Sequence, residues 1–341
     1  MVSKILSGMR PTGRLHIGHL VGALNNWVDL QRKYDSYYFV ADWHAITTMT
    51  DTKNIKQDSF EMVKDWLAAG IDPEKSNLFI QSQVPQHAEL HLIFSMLNTL
   101  PRLERVPSFK GLMQHLLDIK DAEAELTPEQ IADVRSKISY GFLGYPVLQS
   151  ADILIYKADG IPVGEDQIPH IELTREIARK FNSLYGEVFP EPEPLLTNTP
   201  RILGTDGRKM SKSYGNAIHP TDSLEVITQK VMSMITDPDR KRRYDAGDPR
   251  VCSVYDLHLA YNNDDRQIEI FKACTCAGIG CVDCKKEAAQ KIADKYRGYA
   301  ERREQFKERD IREILMDGSS TARQEASQTI KQVKEHLLFD Y

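Results

Sequence analysis

Two short segments of this 341-residue chain carry residues that could bind a polyphosphate. The first is the run Pro11-Thr12-Gly13-Arg14-Leu15-His16-Ile17-Gly18-His19, between a predicted strand and a predicted helix. Backbone N–H groups and the helix dipole attract anions at such a place. His16 and His19 are three residues apart and share one face of the first helical turn, while Gly18 lets a ligand approach the backbone. This spacing suits a nucleoside triphosphate, although a turn with two exposed histidines would have the same sequence.

The second segment is Lys209-Met210-Ser211-Lys212-Ser213, which follows Gly204-Thr205-Asp206-Gly207-Arg208. Two lysines on a glycine-flanked loop can close over a polyphosphate and neutralise the charge that grows on an α-phosphate and a leaving pyrophosphate. A solvated basic loop is the alternative interpretation of this run alone. Together the two segments predict a phosphate site in which Lys212, Lys209, His19 and His16 are the catalytic candidates.

In this order and at this separation, His16-Ile17-Gly18-His19 and Lys209-Met210-Ser211-Lys212-Ser213 resemble the signatures of a class I aminoacyl-tRNA synthetase. The segments between them are similar to the tryptophanyl-tRNA synthetases, and the similarity runs from Leu6 to the C-terminus. Those segments are Ala41-Asp42-Trp43-His44-Ala45, Gly144 to Leu154, Val163-Gly164-Glu165-Asp166-Gln167 and Leu173 to Arg179. His19 departs from the family pattern, because many bacterial members have Asn at this place.

The resemblance implies an ATP site around the two signatures. Gly164, Glu165 and Asp166 would hold the ribose, Ile202 would lie against the adenine, and Lys212 would be the main transition-state cation. The full set of residues implied to bind ATP is Arg10, Pro11, Thr12, Gly18, His19, Gly164, Glu165, Asp166, Ile202, Lys209, Met210, Ser211, Lys212 and Ser213.

The resemblance also implies a tryptophan pocket in which the Asp152 carboxylate accepts the indole N–H. The other residues implied to bind tryptophan are Leu6, Gly8, His44, Tyr145, Gln149, Ile161, Val163 and Gln167. Gln149 occupies a place where many tryptophan enzymes carry an apolar residue. The pattern of Tyr145, Gln149 and Asp152 also occurs in tyrosine-specific relatives, so a tyrosyl-tRNA synthetase is the alternative.

All five cysteines lie between Cys252 and Cys284, and a disulfide framework would be out of place in a reducing compartment. Cys252, Cys274, Cys281 and Cys284 therefore suggest ligands to zinc or to a [4Fe–4S] cluster, and the spacing leaves both open. The run from Gly280 to Lys286 resembles a subset of tryptophanyl-tRNA synthetases with a C-terminal [4Fe–4S] cluster. The resemblance thus implies the cluster, with Zn²⁺ as the alternative and Cys276 as a spare thiol.

Short apolar runs alternate with helical patterns over the first two thirds of the chain, which indicates βα units and a parallel sheet. The predicted strands contain Ile5-Leu6, Tyr37 to Val40, Leu78 to Ile80 and Ile161 to Val163. Beyond Gly215 the pattern is helical, and the final helix is predicted to begin at Ser319 or Ser320. We therefore expect an α/β fold: a Rossmann-like parallel-sheet catalytic domain with a helical C-terminal domain.

The predicted domains are 1–203 for catalysis, 204–217 for a mobile phosphate loop, 218–310 for anticodon recognition with the cysteines, and 311–341 for a C-terminal helix. Two further surfaces could contact tRNA phosphates, namely the basic run from Asp239 to Arg243 and the group of Arg102, Arg105 and Phe109.

Composition limits the possible classes of protein. Hydrophobic residues make up 41% and charged residues 27% of the chain, which is typical of a globular protein. The net charge of −5 argues against a protein that coats nucleic acid. Apolar runs are too short for a membrane span and the N-terminus turns polar early, so we expect a cytoplasmic protein. Neither a Walker A sequence nor Gly-x-Gly-x-x-Gly after a strand is present, which excludes P-loop kinases and nicotinamide enzymes.

The resemblance finally implies a reaction and partners. The chain would attach L-tryptophan to tRNA(Trp) through a tryptophanyl-adenylate, using ATP with Mg²⁺, and would form a homodimer with no membrane partner. Positioning and charge stabilisation would carry the rate, and no covalent nucleophile is needed.

Overall fold

The fold is described from a computed structural model, in which residues 3–107, 109, 111, 113, 117, 127–196 and 202–339 are described. Five parallel strands form one sheet in the order β3-β2-β1-β4-β5. The strands are β1 (Lys4–Met9), β2 (Asp35–Val40), β3 (Ser76–Ile80), β4 (Gly160–Val163) and β5 (Glu193–Leu196). The chain adds β2 and β3 on one side of β1 and then adds β4 and β5 on the other side. At such a switch point between β1 and β4, a crevice for ligands forms at the carboxyl ends of the strands.

Four of the five strands agree with the sequence prediction, and β5 was not predicted. Its four residues include Glu193 and Pro194, which are depleted in strands. β5 pairs only with β4 among the described residues, so it lies at an edge of the sheet where proline is tolerated. Pairing with a neighbouring strand, and not local propensity, therefore determines β5.

Both faces of the sheet are covered, because alternate residues of the strands β1, β2 and β3 enter different cores. Ile5 and Tyr38 belong to one apolar cluster, while Leu6 and Phe39 belong to the other. The cluster that contains Ile5 continues into the helices beyond residue 217, so one core joins the sheet to the C-terminal helices. The predicted α/β class with a helical C-terminal part is confirmed.

The first helical segment follows β1 and contains a π turn. It consists of α1 (Ile17–His19), a π-helical stretch (Leu20–Leu24) and α2 (Asn25–Leu30). The other helices before β5 are α3 (Asp42–Ile46), α4 (Ile55–Ala69), α5 (Gln86–Ser95), α6 (Leu100–Glu104), α7 (Pro128–Lys137), α8 (Tyr140–Ile155) and α9 (Ile168–Tyr185).

Beyond Gly215, every named element of the described chain is helical. These helices are α10 (Leu224–Ser233), α11 (Ser253–Tyr261), α12 (Asp264–Thr275), α13 (Cys281–Lys295), α14 (Tyr299–Gln305) and α15 (Glu308–His336). None of the helices in the described ranges is long and apolar enough to cross a membrane.

The prediction that the last helix begins at Ser319 or Ser320 is wrong, because α15 begins at Glu308. Ser319 lies within the helix, and its hydroxyl oxygen accepts the backbone N–H of Ile80 at 3.3 Å. Gly318 passes the carbonyl of Leu78 so closely that a Cβ atom would lie 1.9 Å from that oxygen. α15 therefore packs directly along the edge strand β3, and these small residues serve packing and not capping.

Candidate active site

A cavity of about 480 Å³ opens at the carboxyl ends of β1 and β4, where the strand order reverses. All nine residues predicted to bind tryptophan line it, as do Arg10 and Gly164 from the predicted ATP site. Gly8 is needed here, because a Cβ atom would lie 2.4 Å from the ring of Phe39. The topology therefore brings residues from four separate sequence segments into one pocket.

Asp152 on α8 lies in this pocket and is 1% exposed. Its Oδ2 atom is 2.7 Å from His44 Nε2, and its Oδ1 atom is 2.6 Å from His87 Nδ1. Gln81 Nε2 also donates to Oδ1, at 2.8 Å. Burial opposes ionisation, but His44 and His87 outweigh it and lower the pKa of the Asp152 carboxyl to about 2. Asp152 is therefore an anion that can only accept hydrogen bonds.

Sequence analysis assigned no role to His87 and did not single out Gln81 or Tyr156. His87 is fully buried, and its Nε2 atom lies 2.7 Å from the hydroxyl of Tyr156. Since Nδ1–H donates to Asp152, Nε2 must accept from Tyr156. The one available signal was position: Gln81 directly follows β3, where the carboxyl ends of parallel strands meet. The omission of His87 was an error of the sequence analysis.

The rings of His16 and His19 lie side by side, with centroids 3.8 Å apart. Burial and, less strongly, neighbouring positive groups lower the pKa of His16 to about 3 and that of His19 to about 4. Both imidazoles are therefore neutral near pH 7 and can donate an N–H without carrying charge. A Cβ atom on Gly18 would lie 3.1 Å from the His16 ring, so glycine allows this ring to fold over the helix start.

The lysine-rich loop meets the first signature, although the two are separated by about two hundred residues of sequence. Lys212 Nζ donates to the carbonyl of Thr12. The loop is closed by a bridge between Leu203 and Lys209, and Asn216 Oδ1 accepts the backbone N–H of Ser211 at 2.8 Å. Burial lowers the pKa of Lys212, and nearby carboxylates oppose this shift. A cation thus lies beside the turn that precedes α1.

The predicted ribose-binding residues follow β4. Glu165–Gln167 forms one 3₁₀ turn, in which Gln167 lines the cavity and its Nε2 atom donates to Asp166 Oδ2 at 2.9 Å. Glu165 and Asp166 are exposed, and the carbonyl oxygen of Ile202 would lie 3.7 Å from a Cβ atom on Gly18. The predicted ribose turn therefore shares Gly164 and Gln167 with the cavity, and Ile202 approaches the first signature.

Comparison with known proteins agrees with this geometry. A family model of the class I tRNA synthetases for tryptophan and tyrosine (W and Y) matches residues 2–296. The chain belongs to this family. The tryptophan–tRNA ligase of Thermotoga maritima is 49% identical, over 98% of this chain and 98% of the relative. That of Aquifex aeolicus is 42% identical, over 98% and 99%. The tryptophanyl-tRNA synthetase structure from Campylobacter jejuni, complexed with ADP and tryptophan, has a TM-score of 0.78 and 31% identity, covering 98% of this chain and 99% of that chain.

In this class I tRNA synthetase, four thiols share one neighbourhood within the C-terminal helices. Burial raises the pKa of Cys284 to about 12, and the charges of Cys252, Cys274 and Cys281 act in the same direction. His258 Nε2 lies 3.2 Å from Cys284 Sγ, and Arg240 Nη1 donates to Cys274 Sγ at 3.5 Å. His258, to which sequence analysis gave no role, is thus a neighbour of the thiols.

Cys276 differs from the other four cysteines. It is exposed at the end of α12, and its thiol faces the carbonyl of Ala273 at 3.8 Å. Across the described part of the chain, no three His, Cys, Asp or Glu side chains stand in an arrangement that could hold a metal ion. The metal or cluster predicted at Cys252, Cys274, Cys281 and Cys284 therefore stays a prediction.

The two surfaces suggested for tRNA phosphates are changed by the structure. Arg102 pairs through two hydrogen bonds with Glu176, at 2.7 and 3.0 Å, and Phe109 is buried. Phe109 therefore cannot stack on a base, so that part of the interpretation was wrong, while a phosphate contact at the exposed Arg105 stays a prediction. In the run from Asp239 to Arg243, Arg240 is buried and donates to the carbonyl of Ile279 at 2.7 Å. Only part of that run faces solvent.

Proposed function

We propose that this class I tRNA synthetase activates L-tryptophan with ATP and transfers it to tRNA(Trp) in the cytoplasm. The observation that carries the proposal is the buried Asp152 carboxylate in a largely preformed pocket, in a chain whose curated relatives are tryptophan–tRNA ligases. An indole N–H can only donate, and it therefore matches a carboxylate that can only accept.

Tyrosine fits this pocket less well. A phenol oxygen both donates and accepts, so it also needs a donor in the pocket. Three donors near Asp152, namely His44, Gln81 and His87, already point at the carboxylate. A bound phenol would compete with them, whereas indole needs only one free lone pair on Asp152.

The reaction has two steps. A carboxylate oxygen of tryptophan forms a bond to the α-phosphorus of ATP, and the bond to the β-phosphate breaks with release of pyrophosphate. A ribose hydroxyl at the 3′ end of tRNA then attacks the aminoacyl carbonyl, and AMP leaves. In the first step Lys209 and Lys212 would balance charge on the phosphates, and the neutral imidazoles of His16 and His19 would donate hydrogen bonds.

Mg²⁺ fits this arrangement as a partner of the phosphates. It usually keeps several waters and binds substrate phosphates together with one or two carboxylates, if any. In this arrangement the ATP phosphates would hold it. When bound, it would neutralise phosphate charge alongside Lys209 and Lys212.

Pyrophosphate exchange with each of the twenty amino acids tests the proposed activity. We expect exchange with tryptophan, and charging of tRNA(Trp) in preference to tRNA(Tyr). Lys212→Ala protein prepared in parallel controls for contaminating host synthetases, because it should lose most of the exchange. Tyrosine at equal or higher kcat/KM than tryptophan would mean that the enzyme is the tyrosine-specific alternative.

We further propose that Cys252, Cys274, Cys281 and Cys284 hold a [4Fe–4S] cluster in a helical domain that reads the anticodon. Mutual proximity of four thiols supports this, as does the contact of Cys274 and Cys284 with the donors Arg240 and His258. A zinc site brings four sulfurs onto one ion, whereas in a four-iron cluster each thiolate binds its own iron.

Metal analysis of anaerobically purified protein tests the cluster. We expect about four irons and four sulfides per chain, with absorbance at about 400 nm, and loss of both in Cys281→Ser. Cys276→Ser is the matched control and should keep the iron. Stoichiometric zinc without sulfide would show that the site is the zinc alternative.

We also propose that the enzyme is a homodimer. Four large apolar side chains on or near α5, α6 and α8 are exposed: Leu92, Met96, Leu100 and Tyr140. Exposed apolar groups on neighbouring elements are typical of a surface that a second copy covers. Sedimentation should give a dimer, and Met96→Glu should shift it toward the monomer. A wild-type monomer at micromolar concentration would contradict the proposal.

A further inference from the structure

Three acidic side chains lie along one face of α4, the helix that follows α3. Asp58, Glu61 and Asp65 are three and four residues apart, which places them on the same side of the helix. This side meets the turn between β1 and α1. A Cβ atom on Gly13 would lie 2.5 Å from Asp58 Oδ1, and the backbone N–H of Leu15 donates to Asp65 Oδ2 at 2.7 Å.

Asp65 also accepts hydrogen bonds from two residues of the C-terminal helix α14. The carboxylate is 1% exposed, and its Oδ1 atom accepts from Arg303 Nε on α14 at 2.9 Å. Arg303 is itself 4% exposed and donates through Nη2 to the Glu61 carboxylate. Tyr299, at the start of α14, donates to the main-chain oxygen of Asp65 at 2.9 Å. Buried charges persist only when they are paired, so Asp65 and Arg303 hold each other in place.

The backbone of Leu15 is restrained on both sides by groups outside the turn. Its N–H is bound by Asp65, and its carbonyl accepts from His219 Nδ1 at 2.9 Å. Two residues on, the N–H of Ile17 donates to the carbonyl of Ile218 at 2.9 Å. Leu15 directly precedes His16, so these contacts determine where α1 begins and how the two imidazoles are oriented beside Lys209 and Lys212.

We propose that Asp65 is a positioning residue for the His16–His19 turn, and that Arg303 links this position to the C-terminal helices. The inference rests on the proposed activation of tryptophan by ATP. Neither residue lines the tryptophan cavity. Displacing them should therefore slow adenylate formation while leaving tryptophan binding almost intact, since small displacements of positioning groups cost much more rate than affinity.

Arg303→Met tests the link, with Arg266→Met as its matched control. Arg266 also pairs with two carboxylates, Glu287 at 2.8 and 2.7 Å and Glu269 at 2.7 Å, but all three lie within α12 and α13. Pyrophosphate exchange and thermal unfolding would be measured for both. For Arg303→Met we expect kcat to fall about 10- to 100-fold with KM for tryptophan within about twofold of wild type. Arg303→Lys should recover much of kcat, and Arg266→Met should keep wild-type kcat at temperatures well below its Tm.

Several results would overturn the proposal. One is a folded Arg303→Met protein with wild-type kcat. Another is an Arg266→Met protein that loses kcat as strongly for the same loss of Tm, which would make the role of Arg303 purely structural. If Arg303→Met does not fold, Asp65→Asn decides, because unchanged kcat in that variant is incompatible with a positioning role. Absence of tryptophan-dependent exchange in the wild-type protein would instead refute the proposed function, and the positioning role with it.

Discussion

The tryptophan pocket and the cysteine region both bury titratable groups, but the chemical types of these groups differ. In the pocket, imidazoles surround one carboxylate, and the pKa of Asp152 is lowered to about 2. In the cysteine region, four thiols collect, burial raises the pKa of Cys284 to about 12, and that of Cys274 is also raised. Hydrogen bonds from its neighbours stabilise the ionised form of Asp152 in the first site, whereas burial and like groups oppose ionisation in the second.

This difference indicates what each region needs in order to be complete. The pocket residues satisfy one another, so the pocket can form without any added ion. Four thiolates would repel each other and can ionise together only if a cation neutralises them. We therefore expect the C-terminal helices to depend on a bound metal, and the catalytic site to be independent of it.

The largest effect is expected from Lys212, a cation that lies outside the tryptophan pocket. Lys212→Ala should lower kcat for pyrophosphate exchange by about 10²- to 10³-fold, because the charge that Lys212 meets develops in the transition state. The Kd for tryptophan should stay within about twofold of wild type, since Lys212 is not part of the cavity lining. Equilibrium dialysis with labelled tryptophan checks this. A variant that binds tryptophan poorly but keeps its kcat would contradict the assignment of Lys212.

Asp152→Asn breaks the charge balance of the pocket. We expect kcat/KM for tryptophan to fall about 10- to 100-fold, because the amide cannot satisfy His44, Gln81, His87 and the indole together, at about 1–3 kcal/mol for an unsatisfied buried group. Asp133→Asn on α7 is the control, since that carboxylate is exposed and pairs only with Lys137 among the described residues. Wild-type kinetics for Asp152→Asn would show that the anionic carboxylate is not what selects tryptophan.

Cys281→Ser tests whether the cysteine region and the catalytic site function independently. Charging of tRNA(Trp) should fall about tenfold and the Tm of the C-terminal helices should drop with loss of the metal, while pyrophosphate exchange stays within about twofold of wild type. Cys276→Ser provides the control for the substitution. Loss of exchange as severe as the loss of charging, in a protein that stays folded, would show that the two regions are not independent.

The smallest effect is a pH dependence of stability. The folded pKa values of His16 and His19, about 3 and about 4, lie below the 6.5 of the unfolded chain. At pH 6 the unfolded chain binds protons that the folded chain does not, so the free energy of unfolding should fall by about 1 kcal/mol between pH 7 and pH 6 for the pair. The loss continues until the pH reaches the folded values. In urea unfolding, His19→Asn should remove about half of the contribution of this pair, while other buried histidines with lowered pKa values, such as His91 and His170, contribute equally in both proteins. An unaltered dependence would contradict the buried neutral state of His19.

Local patterns in the sequence were sufficient for many elements of the fold. Short apolar runs predicted β1 to β4, and the glycine-rich turn before Ile17 predicted the start of the first helix. The residues around both signatures also suggested a phosphate site, because residue type, spacing and position at a helix start all indicate the same chemistry. These features depend on neighbours within a few residues, which is why they can be read from the chain.

Three features could not be obtained in this way. The strand order depends on which strands pair, and the short edge strand Glu193–Leu196 has no strong propensity of its own. The final helix was predicted to begin at Ser319 because serine is a common cap, but packing of Gly318 against β3 keeps the helix continuous from Glu308. Tertiary contacts override local preference in both cases.

The sequence by itself therefore determined the class of fold, the two segments proposed to bind phosphate and the set of residues around the pocket. Only the tertiary structure decided which polar groups are buried together: His87 and Gln81 with Asp152, and Arg303 with Asp65. These partners are tens to hundreds of residues apart, so no local spacing marks them. The physical reason is that a buried polar group must find its partner in space, and the fold, not the chain order, decides which group is within reach.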